Sequence, residues 1–136
     1  MFCIDANIAI ALLRGGRSDL EEHLAGLFAR DVVIGLATIV LAELQYGVYW
    51  ARDHMRAQRA LDGLLRAPFE IMPFTAADAR RAGELRAGLA AKGQTIGPFD
   101  SLIAAQALER NMILVTNNIR EFSRVPGLKL EDWLTP

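Results

Sequence analysis

The chain has 136 residues, 52% of them hydrophobic and 23% charged, and a formal net charge of −1 at pH 7. This length and composition fit one domain, residues 1–136, with a full hydrophobic core, and exclude a domain that binds nucleic acid through overall basicity. Because no apolar stretch reaches the roughly 18 residues of a transmembrane helix, no basic segment opens a signal peptide, and the single Cys3 has no disulfide partner, we expect a cytoplasmic protein without a membrane contact.

Short apolar runs alternate with helical patterns along the first half of the chain. Ser18, with Glu21 three residues later, has the pattern of a capping box, and Thr38 is placed to cap the helix that follows it. In chain order we predict a strand at residues 1–4, a helix at 8–13, a helix from 18, a strand at 32–36, a helix from 38 that ends or is interrupted at Gly47, and a helix at 52–65.

The same alternation continues to the end of the chain. Thr75 is a predicted helix cap, with Asp78 in the first helical turn, and Pro98 precedes another helix start. The predicted elements are a strand at residues 69–72, helices at 75–91 and 100–110, and strands at 112–116 and 128–130. Strands alternating with helices predict an α/β domain with a mostly parallel central sheet of four to five strands.

Acidic side chains lie beside several of these apolar segments. Asp5 directly follows the first predicted strand, Glu43 lies among apolar helical neighbours, and Asp100 begins a helix that continues with apolar residues. Sites in parallel sheets form at the carboxyl ends of the strands, so we expect these acids to converge. A hard cation such as Mg²⁺ or Mn²⁺ would relieve their repulsion, which favours a metal-dependent hydrolase. For Asp5 and Asp100 the role of a helix cap stays open, as does an ordinary turn for the Asn117-Asn118 pair.

Four segments carry a resemblance to a known family. They are Asp5-Ala6-Asn7 after the first strand, LAELQYG, IGPFDSLIAAQAL and LVTNNIREF. In order and spacing they resemble the PIN-domain ribonucleases, and more narrowly the VapC toxins of bacterial toxin–antitoxin pairs; with the closing GLKLEDW the match covers nearly the whole chain. The resemblance implies a three-layer PIN-like domain with helices flanking the sheet. It also implies a Mg²⁺- or Mn²⁺-dependent endoribonuclease that cleaves structured RNA of the tRNA or rRNA class through a metal-activated water.

The resemblance also assigns roles to individual residues. It implies Asp5, Glu43 and Asp100 as the catalytic, metal-binding acids, and it maps the family's fourth catalytic position, often Asp, onto Asn118. Three carboxylates then remain, enough for one Mg²⁺. Residues expected to orient the acids or contact the substrate are Asn7, which we expect to hydrogen-bond Asp5, and Thr116, Asn117 and Arg120. Arg14 and Arg17 are further candidates for contact with the RNA backbone, although solvated surface arginines are the plainer interpretation.

The resemblance also implies partner proteins, and alternative functions stay open beside it. The resemblance implies a homodimer that is silenced by a cognate VapB-type antitoxin lying over the site. The aromatic cluster of Tyr46, Tyr49 and Trp50 fits either a core or dimer patch or a platform for stacked RNA bases. Two other functions remain open: a catalytically weak PIN-like RNA-binding module, and an aspartyl-phosphate phosphatase or receiver that uses Asp5. Against the phosphatase, Asn7 stands where a second Asp is needed.

Overall fold

A computed structural model describes residues 1–135 of the chain. Over this range it contains twelve helices and strands. They are β1 (Phe2–Ile4), α1 (Ala6–Arg14), α2 (Ser18–Ala29), β2 (Ile34–Ala37), α3 (Thr38–Trp50), α4 (His54–Leu64), β3 (Glu70–Met72), α5 (Ala76–Ala91), α6 (Pro98–Glu109), β4 (Ile113–Val115), α7 (Ile119–Phe122) and β5 (Leu130–Glu131).

The centre of the molecule is a sheet whose strands, within residues 1–135, run in the order β3-β2-β1-β4-β5. Every pairing between neighbouring strands is parallel. The strands are short and mostly buried on both faces, as parallel strands covered by helices are. The predicted α/β class and the central parallel sheet are therefore confirmed.

The helices cover both faces of this sheet. The chain steps from β1 to β2 to β3 in one direction and then returns across the sheet to β4. Because such crossovers are almost always right-handed, this reversal places α5 and α6 on the face opposite the helices that precede β3. The packing agrees, since α5 packs on α6 while α1, α3 and α4 pack on one another. The result is the expected three-layer arrangement.

Side-chain caps explain where some helices begin, and two of the predicted caps are wrong. Thr75 caps α5 as predicted, and Asp78 completes a capping box with it. Among the described residues no side chain caps α2, because the helix already includes Ser18 and has Arg17 at the N-cap position. Thr38 likewise lies inside α3, where its hydroxyl donates to the Met72 carbonyl oxygen.

Helix α3 continues through Gly47 to Trp50, so the glycine does not end it. Cys3 is buried, and burial raises the pKa of its thiol to about 12, which makes it an unreactive apolar residue of the core. In the part of the chain that the structure describes, no helix has the length and apolar character needed to cross a membrane.

Candidate active site

The site lies where β1 and β4 end side by side. Ile4 pairs with Val115, so Asp5 and Thr116 follow the two strands as neighbours. From β1 the chain leads towards β2, and from β4 it leads to β5 on the other side. Diverging connections of this kind open a crevice at the carboxyl ends of two adjacent strands, the usual position of a binding site in a parallel sheet.

Asp5 is the most firmly held acid of this crevice. Its Oδ1 accepts a hydrogen bond from the Ile8 N–H at 3.2 Å, which caps α1, and its Oδ2 accepts one from the Thr116 hydroxyl at 2.5 Å. The two roles that the sequence left open, a helix cap and a member of the crevice, are therefore compatible. Burial raises the pKa of Asp5, and the Thr116 hydrogen bond opposes that shift.

Glu43 enters the crevice from α3. Its side chain is half-buried, and among the described residues its Oε1 is buried without any hydrogen-bond partner. Burial raises the pKa of Glu43, and the negative charge of Asp5 raises it further. An unpaired carboxylate oxygen away from water is costly, so this atom calls for a cation or a proton.

Asp100 lies in the first turn of α6, next to a carboxylate that the sequence interpretation did not assign. The pKa of Asp100 is raised to about 6, first by burial and then by the charge of Glu121 and the hydrogen bond between the two carboxyl groups. The charges of Glu43 and Asp5 make smaller contributions to the same shift. The three acids proposed from the sequence, and Glu121 with them, are thus close enough to influence one another's protonation.

Glu121 is held in its charged form. Its Oε1 accepts the Gly97 N–H at 2.7 Å, and its Oε2 accepts the Asn118 side-chain amide at 2.7 Å. The Gly97 hydrogen bond is the main reason why the pKa of Glu121 is lowered. A Cβ at Gly97 would lie 3.3 Å from Asp100 Oδ2, a tight contact, and 3.6 Å from Glu121 Oε1, so a side chain here would press on both acids.

The short helix α7 explains why Glu121 was missed. Asn118 occupies the N-cap position of α7 without a side-chain bond to the helix backbone, and Glu121 lies three residues later, one helical turn on. From the sequence we placed Asn118 at the fourth catalytic position and predicted no helix there, so we counted three carboxylates. The available signal was the spacing of an Asn followed three residues later by a Glu, the pattern of a helix start.

The remaining sequence candidates are Asn7, Thr116, Asn117 and Arg120. The Asn7 amide donates to Asn117 Oδ1 at 3.1 Å, not to Asp5 as we expected, and Asp5 accepts instead from the Ile8 N–H and the Thr116 hydroxyl. The Thr116 hydroxyl also accepts the Asn118 N–H at 3.0 Å, which fixes the loop to the crevice. Arg120 is exposed on α7.

The acids are gathered but do not yet form a closed ligand set. Within residues 1–135, no three His, Cys, Asp or Glu side chains are arranged as a ready-made metal-binding group. Like charges repel, and hydrogen bonds hold Asp5 and Glu121 to their own neighbours. The donor chemistry nevertheless suits Mg²⁺ or Mn²⁺, because all the oxygens are hard and Glu43 Oε1 is unpaired.

An apolar surface borders the acids. Beside Glu43 lies a hollow of about 610 Å³ whose lining includes Ile10, Tyr46 and Phe99. Tyr46, Tyr49 and Trp50 are 65%, 69% and 73% exposed, so the interpretation of these aromatics as core residues is wrong. Exposed apolar surface of this kind is typical of a contact site for a partner or a ligand.

Comparisons with known proteins agree with this geometry. The family model described as "PIN domain" matches residues 2–128. Ribonuclease VapC2 of Rickettsia felis is 41% identical over 133 residues, which cover 98% of each chain. The tRNA(fMet)-specific endonuclease VapC of Shigella flexneri is 34% identical over 97% of each chain. Among solved structures, that of VapBC2 from Rickettsia felis bound to a promoter DNA fragment matches with a TM-score of 0.91 and 40% identity, over 97% of this chain and 98% of the other.

The raised pKa of Asp100 predicts a pH dependence of stability. Between its ordinary value of 3.8 and its folded value of about 6, Asp100 binds a proton in the folded state but not in the unfolded chain. Stability should therefore fall as the pH rises through this window. Asp100→Asn removes this titration. In EDTA above pH 6 the variant should be more stable than the wild type by about 1–2 kcal/mol, a value reduced for partial solvent exposure.

Urea unfolding of both proteins from pH 4 to pH 7.5 tests this expectation. The stability difference should shrink towards pH 4, where Asp100 is protonated in the folded state. A difference that is constant over the whole range, or a variant less stable than the wild type at pH 7, would contradict the pKa assignment.

Proposed function

The chain belongs to the PIN-domain family, among the VapC-type ribonucleases, and we propose that it is a metal-dependent endoribonuclease that acts as the toxin of a toxin–antitoxin pair. One observation carries the proposal. Carboxylates from four segments meet at the ends of β1 and β4, and the buried Glu43 Oε1 has no partner among the described residues. Such an arrangement opposes folding, so it fits a site that holds a cation.

Asp5, Glu43 and Asp100 would hold the cation, Mg²⁺ or Mn²⁺. When bound there, the ion would supply charge stabilisation to a phosphate oxygen and lower the pKa of the attacking water. The acids would gain in turn, because the cation offsets the burial and the repulsion that raise the pKa values of Glu43 and Asp100. Mg²⁺ keeps several waters and takes only a few carboxylates, so three acids are enough for one ion.

The surrounding residues would keep the acids ready for this task. Thr116 fixes the orientation of Asp5 through its hydroxyl. Gly97 and Asn118 keep Glu121 ionised beside Asp100, where it accepts a hydrogen bond from the protonated form of that residue. Since the pKa of Asp100 is about 6, this residue is ionised in most molecules at neutral pH. In the molecules in which Asp100 is still protonated, binding of the cation would release that proton.

The substrate we propose is structured RNA of the tRNA or rRNA class. One relative is named a tRNA(fMet)-specific endonuclease and another simply a ribonuclease, so tRNA(fMet) is the first RNA to test. A PIN-like module that binds RNA without cutting it is the second candidate. The aspartyl-phosphate function has less support, because Asn7 stands where a phosphatase needs a second Asp.

Cleavage itself is the first prediction. Purified protein should cut tRNA or rRNA in Mg²⁺ or Mn²⁺, and EDTA should abolish the activity until the metal is restored. Asp100→Asn should keep the fold, because the two side chains have the same shape, yet lose cleavage by a factor of about 100 or more, since a ligand charge is gone. Gel analysis of cleavage and circular dichroism measure the two effects. Full activity in EDTA would rule out the metal mechanism.

The second prediction concerns the fourth catalytic position. Asn118 donates a hydrogen bond to Glu121, which an Asp cannot do. Asn118→Asp should therefore cut the cleavage rate by about tenfold, as loss of an orienting partner typically does, without lowering the Mg²⁺ concentration for half activity. Asn111→Asp is the matched control, since exposed Asn111 precedes β4 at the opposite edge of the sheet. A lower half-activity concentration in Asn118→Asp would mean that the missing charge limits metal binding.

We further propose that a VapB-type antitoxin blocks this site and that the toxin forms a homodimer. A basic side chain, Arg above all, could pair with Asp5, Glu43 and Asp100 and compete with the metal. The exposed aromatics Tyr46, Tyr49 and Trp50 beside the apolar hollow would receive the apolar part of the same segment. In support, the matched structure from Rickettsia felis is that of a VapBC complex.

Co-expression with the product of the upstream neighbouring reading frame is the test for the partner. We expect a stable complex without ribonuclease activity, and recovery of activity when the antitoxin is removed. Substitution of its inserted basic residue by Ala should weaken inhibition more than binding, because the apolar contact remains. The toxin–antitoxin proposal fails if the protein purified alone is a harmless monomer and the neighbour does not bind it, even if metal-dependent cleavage survives.

A further inference from the structure

An acidic crevice needs cations nearby if it is to receive RNA. The chain has a formal net charge of −1, and its crevice concentrates the carboxylates of Asp5, Glu43, Asp100 and Glu121. A bound divalent ion offsets only part of this charge, whereas RNA is a polyanion whose affinity depends mainly on Lys and Arg contacts to phosphate. Arginines close to the crevice that are not already paired with an acid are therefore the candidates for contact with RNA.

A second hollow adjoins the crevice on the side of α1. The hydrogen bond from the Asn7 amide to Asn117 Oδ1 lies between the two, because Asn7 follows Asp5 by two residues and Asn117 follows Thr116 directly. Beyond this pair lies a hollow of about 420 Å³ whose lining includes both asparagines together with Arg14 and Arg17. An RNA strand that extends from the acids on this side would enter a polar, basic hollow.

Arg17 builds this hollow but has little charge to offer a ligand. Its guanidinium donates to both carboxylate oxygens of Asp19, at 3.1 and 3.0 Å, and to the Leu134 carbonyl oxygen at 3.0 Å. Asp19 balances the charge, and the third bond fastens the C-terminal segment to the start of α2. Arg17 therefore shapes one wall of the hollow.

Arg14 carries the free charge of the hollow. It lies exposed in the last turn of α1, and none of the ion pairs in residues 1–135 includes it. The next two residues, Gly15 and Gly16, have positive φ angles of 71° and 77° and turn the chain away without side chains. Within residues 1–135, nothing lies within 4 Å of a Cβ built at either glycine, so this part of the chain leaves space beside Arg14 for a ligand.

We propose that this hollow is a binding subsite for the RNA backbone, in which Arg14 contacts a phosphate and the side-chain amide of Asn117 donates to the same strand. The inference rests on the proposed ribonuclease function and adds a position for the strand beyond the bond that is cut. Helix α1 has nine residues, which separates Arg14 from Asp5 by about 13 Å. Contact with a phosphate next to the scissile one fits this separation of the two backbone positions.

Salt dependence of cleavage separates this role from a general loss of charge. Steady-state cleavage of one RNA substrate in saturating Mg²⁺ is measured for the wild type, Arg14→Gln and Arg14→Lys from 50 to 200 mM KCl. The matched control is Arg30→Gln, an exposed arginine at the C-terminus of α2, at the opposite edge of the sheet. Circular dichroism confirms that each variant is folded.

We expect Arg14→Gln to raise KM several-fold at 50 mM salt and to leave kcat nearly unchanged. The slope of log KM against log salt concentration should fall by about 0.7–0.9, the contribution of one phosphate contact. Arg14→Lys should restore most of the slope because it keeps the charge, and Arg30→Gln should match the wild type.

The possible failures have different meanings. A wild-type protein that does not cut RNA would overturn the proposed function and this subsite with it. A wild type that cuts RNA, together with an Arg14→Gln variant of unchanged KM and salt slope, would overturn the subsite alone. An equal change in Arg30→Gln would also overturn it, because the effect would then reflect the total charge of the protein.

Discussion

Mutual repulsion between carboxylates is the constraint on which the rest of this structure depends. Asp5, Glu43, Asp100 and Glu121 come from segments far apart in the sequence, and the fold brings them to the ends of β1 and β4. Burial and the neighbouring like charges together raise the pKa of Asp100 to about 6, and a buried Glu43 oxygen has no partner among the described residues. The local hydrogen bonds serve to hold these charges in place, the Thr116 bond to Asp5 above all.

This constraint connects stability to function. Gathering like charges weakens the fold, and whatever supplies positive charge to the crevice strengthens it. A divalent ion, an arginine from an antitoxin and the protons of acidic solution would all compete for the same oxygens. Inhibition by an antitoxin arginine and catalysis with a metal ion would then both depend on positive charge placed between these carboxylates. RNA has to approach against the same negative field. Basic side chains beside the crevice, such as Arg14, would offset that field, and the net charge of −1 does not reveal this local role.

Much of this could be predicted from the sequence, and the limits have physical reasons. Buried parallel strands show up as apolar runs, and Thr75 is a typical helix cap, so both were predicted correctly. The capping box at Ser18 was wrong because α2 begins one residue earlier, with Arg17 at the N-cap position, and spacing alone does not fix the first residue of a helix. Glu121 was missed because its place in the site depends on the one-turn helix α7, which is too short to show a hydrophobic period. The exposure of Trp50 depends on how α3 packs against the rest of the fold, which the apolar pattern of the helix does not show.

The central claim is that Asp5, Glu43 and Asp100 hold one divalent ion where β1 and β4 end. Anomalous diffraction from a crystal soaked in Mn²⁺ tests it most directly, because the manganese signal identifies the ion without assumptions about the protein. We expect a manganese peak within about 2.2 Å of an oxygen of each of these three carboxylates, somewhat longer than the 2.0–2.1 Å of Mg²⁺. A well-diffracting soaked crystal with no peak in the crevice, or with manganese bound only elsewhere, would contradict the account.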